Sequence, residues 1–187
     1  MKIYYPERII CLTEETTETL YLLGEQDRII GVSGFTVRPA IARKDKPKIS
    51  TFIDAKIDKI CDLKPDLVIG FSDIQGNIAK ELIEKGIPVW INNYRSVQGI
   101  KKMIFQLGVL VGRKQESLQL IQQINDQIDS IIKKVEKWEN HPKVYFEEWD
   151  DPMISGIKWV SEIIQIAGGV DIFPELQNES LAKNRII

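Results

Sequence analysis

The side chains best able to do chemistry gather in one short stretch, where Glu147, Glu148, Asp150 and Asp151 flank Trp149. Four carboxylates about a ring suit a cationic or amide-rich ligand, or a hard cation bound through oxygen. On a strand, half of them would instead alternate outward into water. His141 is the sole histidine and sits beside Pro142. Zinc and manganese sites draw on imidazoles, so neither metal fits well, and no metal ligands are assigned. Nothing places a nucleophile beside His141 for Ser-His-Asp or Cys-His chemistry, and it reads as a solvated linker residue. Cys11 and Cys61 stand apart within apolar segments and make no disulfide framework. The glycines form no G-x-G-x-x-G or P-loop pattern, so a nucleotide-dependent enzyme is unsupported. No catalytic residue and no covalently bound cofactor are expected.

One aromatic stands out by position. Leu67, Val68, Ile69 and Gly70 form an apolar run entered through Pro65-Asp66 and closed by Phe71. Continuous apolar strands belong to parallel sheets covered on both faces. In such sheets ligands bind beyond the carboxyl ends of the strands, so Phe71 is either a core ring or part of a ligand wall. Arg38, in the polar loop after the second strand, is either a contact for an anionic ligand edge or a surface arginine.

The elements that must position these residues alternate from the start. Strands are expected at 8–12, 29–33, 67–71 and 87–91, with helices at 57–63, 74–85 and 96–111 and another following Thr13, which is placed to cap it. Gly24, Gly86 and Gly112 close three of the helices. This alternation predicts an α/β fold with a parallel, Rossmann-like amino-terminal lobe over residues 1–112. Residues 114–138 then lack Gly and Pro, and carry Ile121, Ile124, Ile128, Ile131, Val135 and Trp138 at spacings of an amphipathic helix. That helix would run about 37 Å. Either a bundle helix or a rod connecting two lobes fits it, and the rod, over residues 113–139, is preferred. A strand at 143–149 and a helix at 158–167 then begin a second α/β lobe, residues 140–187, which is expected to be incomplete.

Composition narrows the function. The 187 residues are 43% hydrophobic and 28% charged, with a formal charge of −2, which argues against a nucleic-acid binder. No apolar run approaches the roughly 18 residues that span a bilayer. The first residues carry no secretory pattern, giving a cytoplasmic expectation, or an extracytoplasmic one if a leader has been removed.

The order of several short pieces resembles the helix-linked (class III) substrate-binding proteins of ABC importers for vitamin B12 and ferric siderophores, most closely the vitamin B12-binding branch. The pieces are Pro6-Glu7-Arg8-Ile9-Ile10, Thr17-Glu18 through Gly24, Ile30-Gly31-Val32-Ser33, Ile49-Ser50-Thr51-Phe52, Ile57-Asp58-Lys59-Ile60, Leu63 through Ile69, Ser155-Gly156, and Ala167-Gly168-Gly169 through Phe173. The resemblance implies two α/β lobes joined by one long helix, with a corrinoid (cobalamin) or ferric-siderophore-like metal chelate held between them. Carried onto this sequence, the family's ligand wall falls on Phe35, Phe52, Phe71 and Trp149. Its permease-docking acid falls on Asp58, where the family usually has Glu. The partners implied are the small-molecule chelate and an ABC-transporter permease. Because the second lobe is expected to lack most of its sheet, cobalamin is expected to bind this chain weakly or not at all, and the exposed second lobe is expected to seek a second copy as a homodimer. Two classes remain: a binding protein of this kind, and a cytoplasmic cofactor-handling or enzyme module on the same frame. The absence of an acid/base pair and of a phosphate loop favours the first.

Overall fold

A computed structural model describes residues 4–51 and 53–187. By its own contacts the chain divides into two compact units. The first runs to Tyr94 and resumes over Lys102–Leu120; the second takes Arg95–Lys101 and Ile121–Ile187.

In the first unit, β1 (Ile9–Cys11), β2 (Ile29–Ser33), β3 (Lys48–Ser50), β4 (Leu67–Phe71) and β5 (Val89–Asn92) form one sheet in the order β3-β2-β1-β4-β5. Every pairing is parallel. Parallel neighbours need crossovers, supplied by α1 (Glu14–Leu22), α2 (Ala40–Asp45), α3 (Ile57–Asp62) and α4 (Gly76–Glu84), with α5 (Val97–Leu110) following β5. Side chains on a strand alternate between faces. Ile10, Leu12, Ile49 and Val68 therefore share one apolar cluster with Ile60 of α3 and Ile78 and Leu82 of α4. Cys11 points the other way, its thiol against the hydroxyls of Thr16 and Thr17 on α1. Burial pushes that thiol up to about 12, the two hydroxyls offsetting only part of the effect. Cys11 is a neutral core residue.

α1 is unusually polar for a buried helix. Thr16, Thr17 and Thr19 are all buried. Their hydroxyls donate back to carbonyls one turn earlier, Thr17 to Thr13 at 3.0 Å and Thr19 to Glu15 at 2.7 Å, so burial leaves these donors satisfied. Thr13 holds the N-cap position but makes no side-chain capping bond, against expectation. Its hydroxyl lies 3.5 Å from that of Thr16 instead. Burial also raises the Glu15 carboxyl above the ordinary glutamate range, with Glu14 adding to the effect and hydrogen bonds opposing it.

Two departures from the expected elements have physical causes. The stretch 36–48, expected to be a polar loop, holds α2 and runs into the first residue of β3, a strand no signal marked, with only Ile49 and Ser50 buried. β3 forms as an edge strand alongside β2. The helix α6 (Lys114–Val135) runs unbroken through Asp126 but ends three residues before Trp138. Near its start Gly108 lets α5 and α6 meet closely: a Cβ there would lie 2.3 Å from Ser117 Cβ. Buried Glu25 accepts from both Arg28 and Arg113, tying the turn after α1 to the start of α6.

In the second unit the strand expected over 143–149 is broken. β6 (Lys143–Val144) pairs in parallel with β9 (Val170–Asp171), and α7 (Lys158–Ile166) lies between them in sequence. The ladder's last bond is Ile172 N–H to Val144 O at 3.2 Å, and the next donor in register falls on Pro174, which has no N–H; the Asp171 carboxylate accepts from the Ser161 hydroxyl and the Phe173 N–H. The chain then pairs elsewhere, as β7 (Glu147–Asp150) antiparallel to β8 (Met153–Ser155). The final residues add to the free side of β8, Ser155 N–H donating to Arg185 O at 2.9 Å and Ile187 N–H to Met153 O at 3.0 Å.

Two predictions follow from this packing. Gly108→Ala is expected to cost about 1–3 kcal/mol, the usual range for overpacking. Gly76→Ala, where nothing lies within 4 Å of the added Cβ and the backbone is helical, should stabilise by about 0.4–1 kcal/mol. Urea unfolding of both variants decides, and the reverse ranking would refute the α5–α6 contact. Glu15 supplies the second. Its folded pKa is raised, so the stability its protonated form contributes is complete below the unfolded pKa of about 4.3 and is lost as pH rises through the folded value. Glu15→Gln should therefore raise the unfolding temperature at neutral pH, with the gain shrinking towards about pH 4. Parallel melting curves at every pH would contradict this.

Candidate functional site

Because the five strands are parallel, their carboxyl ends share one edge. Strand order reverses between β1 and β4, making the gap between them the topological switch point, the place where open α/β sheets hold ligands. Phe71 is the last residue of β4, half-buried, at this gap. Its N–H donates to Gln75 Oε1 at 2.9 Å, and Gln75 Nε2 donates to Leu12 O, just past β1, at 3.4 Å. Ser72 follows at φ 59° and ψ 175°, a left-handed conformation rare outside glycine. Its N–H donates to Asn92 O at 2.8 Å, and Asn92 Nδ2 donates to Gly70 O at 3.3 Å.

Phe35 lies two residues beyond β2 on the same edge and is 60% exposed. Its flanking carbonyls are gripped by one guanidinium nitrogen, Arg43 Nη1 donating to Gly34 O at 3.0 Å and Thr36 O at 3.3 Å. Its own N–H donates to Ser33 Oγ at 3.2 Å. The loop is also tied to α1, where Glu14 accepts from Val37 N–H at 2.8 Å. Arg38 pairs with Glu14 and Glu18, each at 3.4 Å, and is a surface arginine. One strand, β1, separates β2 from β4, so the two strand ends lie about 10 Å apart. The structure thus places Phe35 and Phe71 on one edge, and Phe52 lies outside the described residues.

Trp149 belongs to the second unit, on β7, and is 61% exposed, its Nε1 donating to Asp151 O at 3.1 Å. The carboxylates around it are not a cation cage. Glu148 accepts both terminal nitrogens of buried Arg185, and Glu147 accepts the Tyr145 hydroxyl at 3.1 Å. Partial desolvation, with that carboxylate adding to it, raises the Tyr145 phenol. Among the described residues no three of His, Cys, Asp and Glu gather as metal ligands. His141 is not the purely solvated linker expected, since its Nδ1–H donates to Gly168 O at 2.8 Å. Asp58 is exposed in the first turn of α3, whose Ile57 and Ile60 pack into the apolar cluster.

Three residues that shape these surfaces escaped the sequence reading: Gln75, Arg43 and Arg185. Each is polar and bonds to backbone carbonyls, and nothing in its sequence neighbours names those partners. The Ser72-Asp73-Ile74-Gln75 run after an apolar strand was the one available signal for Gln75.

Comparison with known proteins gives consistent results. The sequence profile of the periplasmic binding protein family matches residues 9–185. A vitamin B12-binding protein of Vibrio campbellii is 32% identical over 174 residues, covering 89% of this chain and 61% of that protein. The solved periplasmic vitamin B12 binding protein of Vibrio cholerae superposes with a TM-score of 0.78 at 21% identity, over 96% of this chain and 70% of that one. Staphylococcus aureus IsdE, solved in complex with heme, superposes with a TM-score of 0.77 at 24% identity, over 91% of this chain and 66% of that one. The two superpositions share the fold, and the chain spans about three fifths of the length of the curated relatives it matches. Matched from the first strand of its parallel sheet to Arg185, the chain belongs to the periplasmic binding protein family.

Proposed function

We propose that this chain is a substrate-binding protein of the ABC-importer type whose ligand is a corrinoid such as cobalamin. Phe35 and Phe71 form the wall on its first unit, and Phe52 and Trp149 are further ligand-binding positions. The observation that carries the reading is the placement of Phe35 and Phe71 on the carboxyl edge of a parallel sheet, with Phe71 at the switch point and Phe35 60% exposed. A ligand-facing aromatic supplies apolar area without a hydrogen-bond demand for Phe, which suits the broad faces of a macrocycle.

Support for a corrinoid over a haem comes from residue type. Haem iron is held by an axial His, Cys, Met or Tyr, and none of the four wall positions carries one. A chelate whose metal arrives fully ligated asks only for surfaces that fit. The vitamin B12-binding names of several relatives point the same way. Those relatives are binding proteins, which favours this reading over an enzyme or cofactor-assembly module. The family's periplasmic character favours an extracytoplasmic location over the cytoplasmic one inferred from the first residues. Asp58, exposed at the start of α3, is the proposed contact for a basic residue of a permease.

Titration with cyanocobalamin, followed by tryptophan fluorescence, is expected to saturate, and haem is expected to bind more weakly. Phe71→Ala and Phe35→Ala should each weaken cyanocobalamin binding roughly three- to tenfold, the usual worth of an aromatic contact. If Phe71→Ala binds as tightly as the parent chain, the wall is misplaced. Asp58→Lys should leave the soluble protein's affinity unchanged and abolish uptake by cells that depend on this protein; normal uptake would remove Asp58 from the docking surface.

A further inference from the structure

We infer that Gln75 is the positioning residue of the site, a side-chain amide that replaces a missing rung of the sheet at the switch point and so fixes where Phe71 stands. The inference rests on the ligand-wall reading of Phe71 given above.

The backbone register shows the missing rung. β1 and β4 stay paired through Cys11 and Ile69, and Leu12 N–H still donates to Ile69 O at 2.8 Å. On its other side β4 remains in register with β5 through Phe71 and Asn92. Past Ile69 the β1 side of β4 therefore splays open while the β5 side holds. Leu12 O and Phe71 N–H are the acceptor and donor left facing that gap. Buried backbone groups of this kind need partners. Gln75 provides one for each: its Oε1 accepts from Phe71 N–H at 2.9 Å and its Nε2 donates to Leu12 O at 3.4 Å. Only one orientation of the amide satisfies both, so the two partners set it.

Three further observations converge on the same group. Gln75 is fully buried, uncommon for a glutamine unless its amide is bonded. Gly70 leaves room for it, since a Cβ at that position would lie 2.7 Å from Gln75 Oε1. Ser72 adopts its φ of 59° on the direct path from Phe71 to Gln75, with its Oγ accepting from Ile74 N–H at 3.3 Å. Strained backbone persists where the surroundings over-determine it, and such places cluster at ligand clamps. The wedge of one amide between two strands both holds the crevice open and sets the direction in which the Phe71 ring leaves the sheet.

A double-mutant cycle tests the inference. Cyanocobalamin affinity is measured for the full chain, for Phe71→Ala, for Gln75→Met and for the double variant, while the Phe71 amide is followed by hydrogen exchange and its ¹H–¹⁵N resonance. Methionine keeps the side chain's length but offers neither bond. Gln75→Met is expected to weaken binding by no more than Phe71→Ala does, about threefold or more, in the parent background and to add almost nothing once Phe71 is alanine, as coupled residues do. The Phe71 amide should exchange faster and its resonance shift. Should Gln75→Met fail to fold, Gln75→Glu enters the same cycle; it keeps the acceptor for Phe71 N–H and is expected to lose less, again only when Phe71 is present. Equal losses in both backgrounds, or none in either, would overturn the positioning role while leaving the wall intact. Unchanged affinity in Phe71→Ala itself would overturn the wall, and the role of Gln75 with it.

Discussion

The constraint on which the first unit depends is the central place of β1. A strand with parallel neighbours on both sides and helices over both faces can expose nothing, and Ile9, Ile10, Cys11 and Leu12 are fully buried. From that position the rest follows. The crossovers before β4 and after β1 run to opposite sides of the sheet, order reverses beside β1, and the strand ends at the reversal cannot both remain laddered. The ligand edge is thus a by-product of topology, present before any particular side chain is chosen. What the sequence adds is the choice of which groups fill and line it.

Much of this frame could be read without a structure because its signals are local. Each of Ile29–Ser33 and Leu67–Phe71 is an apolar run bounded by turn residues, and Gly86 and Gly112 close helices at φ of 76° and 78°, as their positions suggested. The stripe of isoleucines on α6 marked a long helix correctly except at its last turn. β3 was not legible, since an edge strand of three residues with one apolar side chain has no periodicity to detect. Nor was the break between β6 and β7. It depends on β9, which lies beyond the intervening helix and whose next ladder donor after Ile172 would be Pro174, a residue without an N–H.

The site divides along the same line. Of the proposed positions, Phe71 was singled out by its place at a strand end and Phe35 and Asp58 by resemblance, and all three lie on exposed or half-exposed surface of the first unit. Gln75 and Arg185 were missed because each joins segments remote in sequence, and Arg43 because it grips carbonyls seven and nine positions away in its own loop. Glu25 meets Arg113 across 88 positions, Gln75 meets Leu12 across 63, and Arg185 meets Glu148 across 37. Neither periodicity nor composition records such pairings. A charged or amide residue read alone is taken as solvated, and that reading fails wherever a loop needs a donor that the local backbone does not supply. Arg38 and Arg43 make the contrast: they are five residues apart in one loop, yet one only pairs with carboxylates on the surface and the other grips the two carbonyls around Phe35.

In the proposed reading, these anchors account for how a wall of phenylalanines is specific. A phenyl ring has no directional bond to a ligand, so its selectivity lies in where it is held and at what angle. Holding it from its own side chain would require packing it into the core and losing the exposed face. The alternative is to fix the backbone on either side and keep the ring at the surface. Both phenylalanines are treated this way: Phe35 through the carbonyls before and after it, Phe71 through its N–H and the turn that follows. The Ser72 conformation costs of order 1–3 kcal/mol, a cost the surrounding hydrogen bonds offset and one with no purpose in a strand end that merely continued into a loop. Preorganised rings lose little freedom when a ligand arrives, so in the proposed reading rigidity invested in the backbone is what lets an apolar wall discriminate among ligands.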